Sequence, residues 1–282
     1  MSNAVAVFHG AFGRVCLYSM DRKMAPHGHR EGHLVFHVAG PPGQMVVDDK
    51  VWPLSYGQAA AVSPWQAHYY QPVDPTVPTL ALVLYIRPGW FLEAARQVSA
   101  SMRFGRNGIE VTDHLARLVG ETARVMLDHD QEDPLLEDRL CTLTQSSYHQ
   151  SWQWTERGVD FTGAHVSGRD YRIRNALRLL RNNIGGELDL NGIAREVGLS
   201  RPHFYKLFRA QIGLTPNLYL NALRMERAIE QLSDTEAAVS DIGYDLGFSS
   251  QASFSRFFIA NGVVPPSNYR RTVQSVESLA AF

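Results

Sequence analysis

The sequence predicts an α+β protein with several domains: an N-terminal β-barrel or sandwich with flanking helices, then an all-α domain with two helix-turn-helix units. Three observations lead to this prediction. The first hundred residues hold short runs rich in β-branched and aromatic residues, whereas residues from about 170 onward follow the helical period. The helical part carries one pattern twice, about fifty residues apart. A chain of 282 residues is long enough for two domains of ~100–200 residues each.

The composition is ordinary for a globular protein, with 45% hydrophobic and 20% charged residues. The longest apolar run, residues 80–86, is far shorter than the ~20 residues of a membrane span, so no membrane partner is expected. The first residues lack the basic and apolar segments of a signal peptide. Only Cys16 and Cys141 are present, which fits a reducing compartment and predicts a cytoplasmic protein.

The net charge of −1 alone argues against binding to nucleic acid, but the charge is unevenly distributed. Residues 1–164 carry 13 Lys and Arg against 17 Asp and Glu, whereas residues 165–282 carry 14 against 11. This modest basic excess permits phosphate binding by the C-terminal part without requiring it.

Short β-like runs follow one another through the N-terminal part: "RVCLYSM", "HLVFHVA", "QMVVDD", "QAAAVS" and "TLALVLYI". Turn clusters such as "GPPG" at 40–43 and "VDPTVP" at 73–78 separate them. We therefore expect a barrel over residues 1–105, with a first helix that begins near Pro88.

A helical hairpin is predicted over residues 106–150. The apolar face of its first helix comprises Val111, Leu115, Leu118, Thr122, Val125 and Met126. This face either covers the barrel or forms the seam of a homodimer, and its length makes the seam plausible. Residues 151–169 lack any period, carry three glycines and are predicted to form the interdomain linker.

The C-terminal domain is predicted over residues 170–275, and its first unit is helix, Gly turn, helix. Gly198 allows the tight turn, and Ser200 is a suitable N-cap for the next helix, which we expect to bury Phe204, Leu207 and Phe208. The same pattern then returns. Ile193, Gly198 and Ser200 match Ile242, Gly247 and Ser249 at an offset of 49. Phe208 and Pro216 match Phe258 and Pro266 at an offset of 50, so the second unit has one extra residue in its turn or recognition helix.

Polar side chains face away from the buried positions of both recognition helices. They are Arg201, His203, Tyr205, Lys206 and Arg209 in the first unit, and Ser250, Gln251, Ser253, Ser255 and Arg256 in the second. Arg and Gln read guanine and adenine edges, while Ser and Lys contact bases or phosphates. The alternative is a solvated face with no partner, but two units in register make a DNA-binding surface the better interpretation.

These segments resemble the AraC/XylS family of transcription regulators over residues 170–271. The resemblance is carried by "IAREVGLS" and "LFRAQIGLTP" in the first unit, and by "DIGYDLGFSSQASFSRFF" and "PPSNYRR" in the second. It implies that each unit inserts one helix into the major groove of operator DNA. The implied base readers are Pro202, Tyr205, Lys206, Gln251, Ala252, Ser253 and Arg256, and Pro202 and Ala252 can offer only apolar contact.

The resemblance also implies partners: double-stranded operator DNA, a small-molecule effector, RNA polymerase and a second copy of the chain. The sequence leaves open whether the protein activates or represses. Three positions depart from the family pattern: Gly243 replaces Ala, Val263 replaces Gly, and Pro265 replaces a small hydroxyl residue. These departures predict that the second unit is the less rigid of the two.

Residues 26–40, "PHGHREGHLVFHVAG", resemble the metal-binding segment of a cupin barrel, a common sensor domain in this family. His33 stands where a metal-binding cupin has Glu. The cluster either binds a metal, since imidazole suits Zn, Cu, Fe or Ni, or hydrogen-bonds a ligand without one. The second alternative is favoured, so no metal and no other cofactor is expected. The residues expected to line an effector site in the barrel mouth are His27, His29, His33, Trp65, His68, Tyr69 and Tyr85.

Three functions are considered for these patterns, of which a DNA-architecture protein without an effector is disfavoured by the dedicated barrel; the other two are as follows. The first is an effector-responsive transcription regulator without enzyme activity. The alternative is a metal-dependent cupin enzyme with a helical appendage. No catalytic residues are assigned, because no Gly-rich phosphate loop, nucleophile elbow or Cys/His pair occurs at an informative spacing.

Overall fold

The computed structural model describes residues 2–94, 103–128, 135–152, 170–186, 189–262 and 264–280. Within these ranges the strands are β1 (Asn3–Gly10), β2 (Gly13–Met20), β3 (Gly32–Ala39), β4 (Gly43–Val47), β5 (Lys50–Leu54), β6 (Gln58–Val62), β7 (His68–Pro72), β8 (Thr79–Ile86) and β9 (Gly108–Glu110). The helices are α1 (Pro88–Ala94), α2 (Asp113–Leu127), α3 (Leu136–Trp152), α4 (Tyr171–Asn182), α5 (Leu190–Glu196), α6 (Arg201–Ile212), α7 (Pro216–Asp234), α8 (Val239–Asp245), α9 (Gln251–Gly262) and α10 (Pro266–Ala280). We call β1–β9 with α1–α3 the β-domain, and α4–α10 the C-terminal domain.

Two antiparallel sheets form the centre of the β-domain. One has six strands in the order β1-β2-β8-β3-β6-β9, and the other has three in the order β5-β4-β7. Their inner faces share one apolar core, which includes Val35 and Val83 from the larger sheet and Met45 and Tyr70 from the smaller one. This is the sheet-rich architecture that the sequence predicts, with helices on its flank.

All five strand-like runs of the sequence are confirmed as strands, and four further strands were not predicted. Of the four, β5 contains Pro53, which cannot donate to a ladder and is typical of an edge strand. The three-residue β9 pairs with β6 and extends the larger sheet beyond residue 105, where the barrel was expected to end. Both strands are set by tertiary pairing rather than by their own residues.

The outer face of the larger sheet is covered by the helical hairpin. Leu115, Val119 and Met126 of α2 pack with Leu17 and Leu84 of the sheet in a second apolar core, to which α3 also contributes. Much of the apolar stripe of the hairpin is therefore buried within the chain, whereas Val111, Leu118 and Val125 are partly exposed.

The C-terminal domain contains two helix-turn-helix units, α5–α6 and α8–α9, which are joined by α7. Ser151 and Trp152, at the start of the predicted linker, belong to α3. The remaining linker residues, 153–169, lie outside the described residues, as does Val263. No helix among the described residues is both long enough and apolar enough to cross a membrane.

Candidate DNA-binding surface and histidine cluster

The two helix-turn-helix units share the same turn geometry. Gly198 and Gly247 both adopt positive φ, +73° and +82°. The residue after each glycine donates its N–H back across the turn: Leu199 to the carbonyl of Ala194 at 2.9 Å, and Phe248 to the carbonyl of Gly243 at 3.0 Å. In each unit this bond satisfies a backbone carbonyl at the end of the first helix. The two units, 49 residues apart in sequence, therefore share the same hydrogen bond as well as the same glycine.

The extra residue of the second unit lies in its turn. The carbonyl of Ser200 accepts the N–H of Phe204 at 2.8 Å, and the carbonyl of Ser250 accepts that of Phe254 at 3.1 Å. Ser250 is therefore the counterpart of Ser200, and the match of Ser200 to Ser249 was wrong by one position. The physical reason is that the inserted residue precedes the helix, so from there on the offset is 50.

The recognition helices α6 and α9 are anchored by equivalent phenylalanines. Phe204 and Phe208 of α6 are fully buried, and so are Phe254 and Phe258 of α9. Leu207, which was expected to be buried, is only partly so, although it packs against the core of the first unit. These anchors fix which face of each helix turns outward.

The side chains predicted to bind DNA lie on those outward faces. Arg201, Pro202, His203, Lys206 and Arg209 of α6 are exposed, as are Gln251, Ala252 and Arg256 of α9. Tyr205, Ser250, Ser253 and Ser255 are partly buried. Arg256 donates to Ser253 Oγ at 3.1 Å, which aligns its guanidinium along the helix surface. Each face thus offers cationic and hydroxyl donors of the types that contact phosphates and base edges.

Sheet pairing and one loop bring four histidines of the predicted effector site together. His33 on β3 is the cross-strand partner of Tyr85 on β8, and their rings stack with centroids 4.6 Å apart. His27 forms an isolated bridge with His68, and their ring centroids are 4.4 Å apart. His29 lies 5.0 Å from His68 by the same measure. All four histidines are buried.

Trp65 and Tyr69 lie outside this cluster. Trp65 packs instead against Tyr219 of the C-terminal domain, with ring centroids 5.0 Å apart. Tyr69 lies under the Lys23 ammonium, whose Nζ is 4.7 Å from the ring centroid. Because neighbouring residues on a strand point to opposite faces, Tyr69 cannot share the orientation of His68.

Three of the histidines have a fixed tautomer. Nδ1 of His27, His29 and His68 lies 2.9, 3.0 and 2.9 Å from the backbone carbonyls of Ala25, Glu31 and Gln66, respectively. Since a carbonyl only accepts, each Nδ1 carries the proton and each Nε2 keeps a lone pair. Burial lowers the pKa of His27 to about 4, and it lowers the pKa values of His29 and His68 well below 6.5. The three rings are therefore neutral at pH 7.

Both parts of the chain match known protein families. Residues 13–143 match the family described as AraC-like ligand binding domain, and residues 193–272 match a helix-turn-helix domain family. The chain belongs to the AraC family of transcriptional regulators.

Other AraC-family proteins resemble it at low identity. The HTH-type transcriptional activator RhaS of Escherichia coli O6:H1 is 25% identical over 246 residues, 83% of each chain. The lactose operon transcription activator of Staphylococcus xylosus is 25% identical over 181 residues, 59% of this chain and 65% of that protein. The Msm operon regulatory protein of Streptococcus mutans is 28% identical over 103 residues, 36% of this chain and 37% of that protein. The matches to the last two thus span less than two thirds of those proteins.

The fold is similar to that of ToxT from Vibrio cholerae strain SCE256. The apo form of that protein superposes with a TM-score of 0.60 at 14% identity, covering 94% of this chain and 98% of ToxT. ToxT with a bound unsaturated fatty acid gives a TM-score of 0.53 over 96% and 95% of the two chains. At this identity the likeness supports the two-domain fold and nothing finer.

Sequence reasoning missed two charged residues beside the histidine cluster of this AraC-family chain. Arg14 on β2 is the cross-strand partner of Tyr85, and its guanidinium carbon lies 3.7 Å from the centre of the Tyr85 ring. Its Nη1 is 3.9 Å from Glu31 Oε1. Arg14 is buried, and only the strand pairing, which the sequence does not specify, could have revealed this position.

A narrow cleft separates the cluster from the C-terminal domain. It is lined on one side by Arg14, His27, His29 and Tyr85, and on the other by Met225, Phe258 and Tyr269. Its volume is about 30 Å³, and a second cavity of about 20 Å³ lies inside the β-domain beside His33 and His68. Each has room for about one water molecule, so neither holds an organic ligand without local rearrangement.

The two domains meet around this cleft through both helix-turn-helix units. On the side of the first unit, Trp65 packs against the core of that unit and on Tyr219 of α7, and Arg30 donates to Glu226 in the middle of α7 at 2.9 Å. On the side of the second unit, the N–H of Ala25 donates to the carbonyl of Ala260 on α9 at 2.9 Å, and His9 Nε2 lies 3.0 Å from the hydroxyl of Tyr269 on α10. The loop that carries the histidines is thus in direct contact with the DNA-binding domain.

Proposed function

We propose that this AraC-family chain regulates transcription by binding operator DNA through α6 and α9. The observation that carries this proposal is the duplicated unit: two recognition helices, each anchored by two buried phenylalanines, present exposed polar faces. A single chain with two such units can read two segments of the major groove about one helical turn, ~34 Å, apart.

Genome-wide mapping of the bound sites would supply the operator, and fluorescence anisotropy would then measure affinity. We expect affinity to fall steeply with salt, because Lys and Arg displace counterions from phosphates. Binding that is weak on every mapped site and insensitive to salt would contradict the proposal.

Arg256 offers a test at one position. We expect Arg256→Ala to weaken binding by about 1–3 kcal/mol and to relax specificity at one base pair, if Arg256 reads a base edge. Arg227, which is exposed on α7 and paired with Glu230, provides a matched control: Arg227→Ala should leave affinity unchanged. Weakening by Arg256→Ala that is uniform across operator variants would make Arg256 a phosphate contact.

We further propose that a small-molecule effector controls DNA binding from the cleft between the domains. The cleft is too small for such a molecule in the described conformation, so binding would widen it and shift the population of domain arrangements. Because the β-domain contacts both helix-turn-helix units, this shift would change how the two recognition helices are oriented to each other. A thermal-shift screen of metabolites, followed by anisotropy with each hit, tests this; hits that leave DNA affinity unchanged would contradict it.

The partners and the direction of control are also proposals. We infer an activator that contacts RNA polymerase, because the relatives RhaS and the lactose operon protein are named as activators. We also propose a homodimer in the cytoplasm; the free cysteines Cys16 and Cys141 are consistent with a reducing compartment. Transcription with purified polymerase, with and without this protein, and analytical ultracentrifugation test the activator and the dimer separately.

We infer that the protein is not an enzyme, although the convergence of the histidines favours testing a metal-dependent cupin activity as the alternative. The cavities beside the cluster support the inference: their volumes are about 20, 30 and 180 Å³, whereas a substrate needs a pocket of ~300 Å³ or more. The test is whether metal-loaded protein consumes oxygen or a candidate substrate. Consumption that His29→Gln abolishes would overturn the inference that the protein is not an enzyme.

A further inference from the structure

The geometry of the histidine cluster points to a metal site, which the sequence left as the less favoured of two alternatives. We propose that His27, His29 and His68 bind one divalent transition-metal ion, of which zinc fits the donors best. One ring nitrogen from each of these residues lies within 4.8 Å of the other two. Among the described residues, this is the group of His, Cys, Asp and Glu side chains arranged to share an ion.

The ring orientation of the three histidines is the first argument. Each Nδ1–H donates to a backbone carbonyl, as described above, and this fixes each ring with its Nε2 lone pair turned away from that carbonyl. Histidines that bind metals commonly donate their other N–H to a carbonyl or carboxylate in this way, which sets the tautomer and raises ligand basicity. In a tetrahedral zinc site the ligand nitrogens lie about 3.3 Å apart, since Zn–N is about 2.0–2.1 Å. Binding an ion would therefore draw the three rings closer together.

Unpartnered nitrogen atoms are the second argument. His29 Nε2 and His33 Nε2 are buried and have no hydrogen-bond partner. His29 and His33 are only 9% and 4% exposed, and no donor among the described residues satisfies these two nitrogens. A buried acceptor without a donor is costly, and a cation among the lone pairs would remove that cost. The fourth histidine, His33, donates its Nδ1–H to His68 Nε2 at 3.0 Å, so an ion bound by His68 would replace this hydrogen bond.

The charges around the cluster are compatible with an ion. Glu31 Oε2 lies 3.4 Å from His29 Nδ1 and has no hydrogen-bond partner, so its carboxylate stands behind the ligand and favours a cation. The positive charge of Arg14 disfavours a nearby cation. Its guanidinium lies over the Tyr85 ring and beside Glu31, and the negative charge of Glu31 offsets this effect. Neutral imidazoles suit zinc, copper, nickel and iron rather than magnesium or calcium.

The test uses the full chain without DNA, so its outcome is independent of the proposed regulatory function. After dialysis against chelator and then against buffer, Zn²⁺ is titrated in competition with a chromophoric chelator, and Co²⁺ is added as a spectroscopic probe. We expect one equivalent per chain, visible absorption bands typical of tetrahedral Co²⁺ with nitrogen ligands, and a melting temperature several degrees higher with Zn²⁺ than with chelator. Absence of one-to-one binding to the wild-type chain would overturn the proposal.

Two variants locate the ion. His29→Gln is expected to lower Zn²⁺ affinity at least tenfold and to abolish the Co²⁺ bands, whereas His114→Gln, on the exposed face of α2, should change neither. Far-UV circular dichroism in chelator shows whether each variant is folded. Should His29→Gln fail to fold, His27→Gln replaces it, since His27 lies in the loop before β3. One-to-one binding and Co²⁺ bands that persist in a folded cluster variant would place the ion elsewhere and overturn the assignment.

Discussion

At the scale of single residues, Gly243 determines how closely α8 and α9 approach each other. A Cβ atom at this position would lie 2.9 Å from Cβ of Phe254, the anchor of the second recognition helix. This Cβ is fixed to the backbone, so the contact can be relieved only if one helix moves. Gly243 thus stands at a close helix contact that leaves little room for a Cβ atom.

The substitution Gly243→Ala tests this packing argument. Ala favours the helix over Gly by about 0.5–1 kcal/mol, but overpacking costs about 1–3 kcal/mol, so we expect a net loss of stability. Gly120 on α2 is the matched control, because nothing lies within 4 Å of a Cβ placed there. Gly120→Ala should raise the free energy of unfolding measured in urea. If Gly243→Ala also raised it, the tight contact would not limit stability.

Residue-level patterns predicted some positions well and others poorly. The phenylalanine anchors and the turn glycines follow from spacing and from the steric freedom of glycine, both of which are local. The grouping of the four histidines also agrees with their spacing. Trp65, which faces the other domain, and Arg14, which lies beside Tyr85, depend on domain docking and strand register, and neither is written in the local sequence.

At the scale of elements, the two recognition helices begin differently although they are equivalent. The hydroxyl of Ser250 accepts the N–H of Ser253 at 3.2 Å, which satisfies one of the free donors at the start of α9. Ser200 makes no such side-chain bond at the start of α6. Both serines match the N-cap preference, so the sequence alone could not distinguish them.

We expect Ser250→Ala to lower the free energy of unfolding by about 1 kcal/mol, because a cap is lost. Ser200→Ala has the same chemical change without a cap bond to lose, and should cost only a few tenths of this amount. Urea denaturation of both variants gives the comparison, and equal losses would show that the described cap does not stabilise α9. Because Ser250 also belongs to the predicted DNA-binding face, its effect on affinity must be measured separately.

At the scale of the whole molecule, the two helix-turn-helix units differ in what they share with the β-domain. The core of the second unit is continuous with that of the β-domain: Ala4 and Val7 of β1 belong to the same apolar cluster as Phe254, Tyr269 and Val273. The first unit has a core of its own, built around Ile173, Leu180 and Phe208. Hydrogen bonds strengthen the link to the second unit, since Asn268 on α10 accepts the N–H of Ala4 at 2.9 Å.

This difference predicts which parts of the chain open together. Val7→Ala removes buried side-chain volume on β1 and should cost roughly 2 kcal/mol. We expect faster hydrogen exchange both in the β-domain and in α9 and α10, because one cooperative core connects them. Leu180→Ala, in the core of the first unit, is the control and should speed exchange in α4–α6 only.

The same hydrogen-exchange experiment tests the rigidity of the second unit. The sequence predicts that this unit is the less rigid of the two. Gly243 and the unusual residues after Phe258 are local signals, and they led to that prediction without knowledge of domain docking. A core shared with the β-domain adds buried apolar area that a local pattern cannot reveal. We therefore expect amides of α9 to exchange at least as slowly as those of α6 in the wild-type chain. Two outcomes would show that the second unit moves independently of the β-domain. One is hydrogen exchange in α9 that is clearly faster than in α6, and the other is exchange in α9 that Val7→Ala does not change.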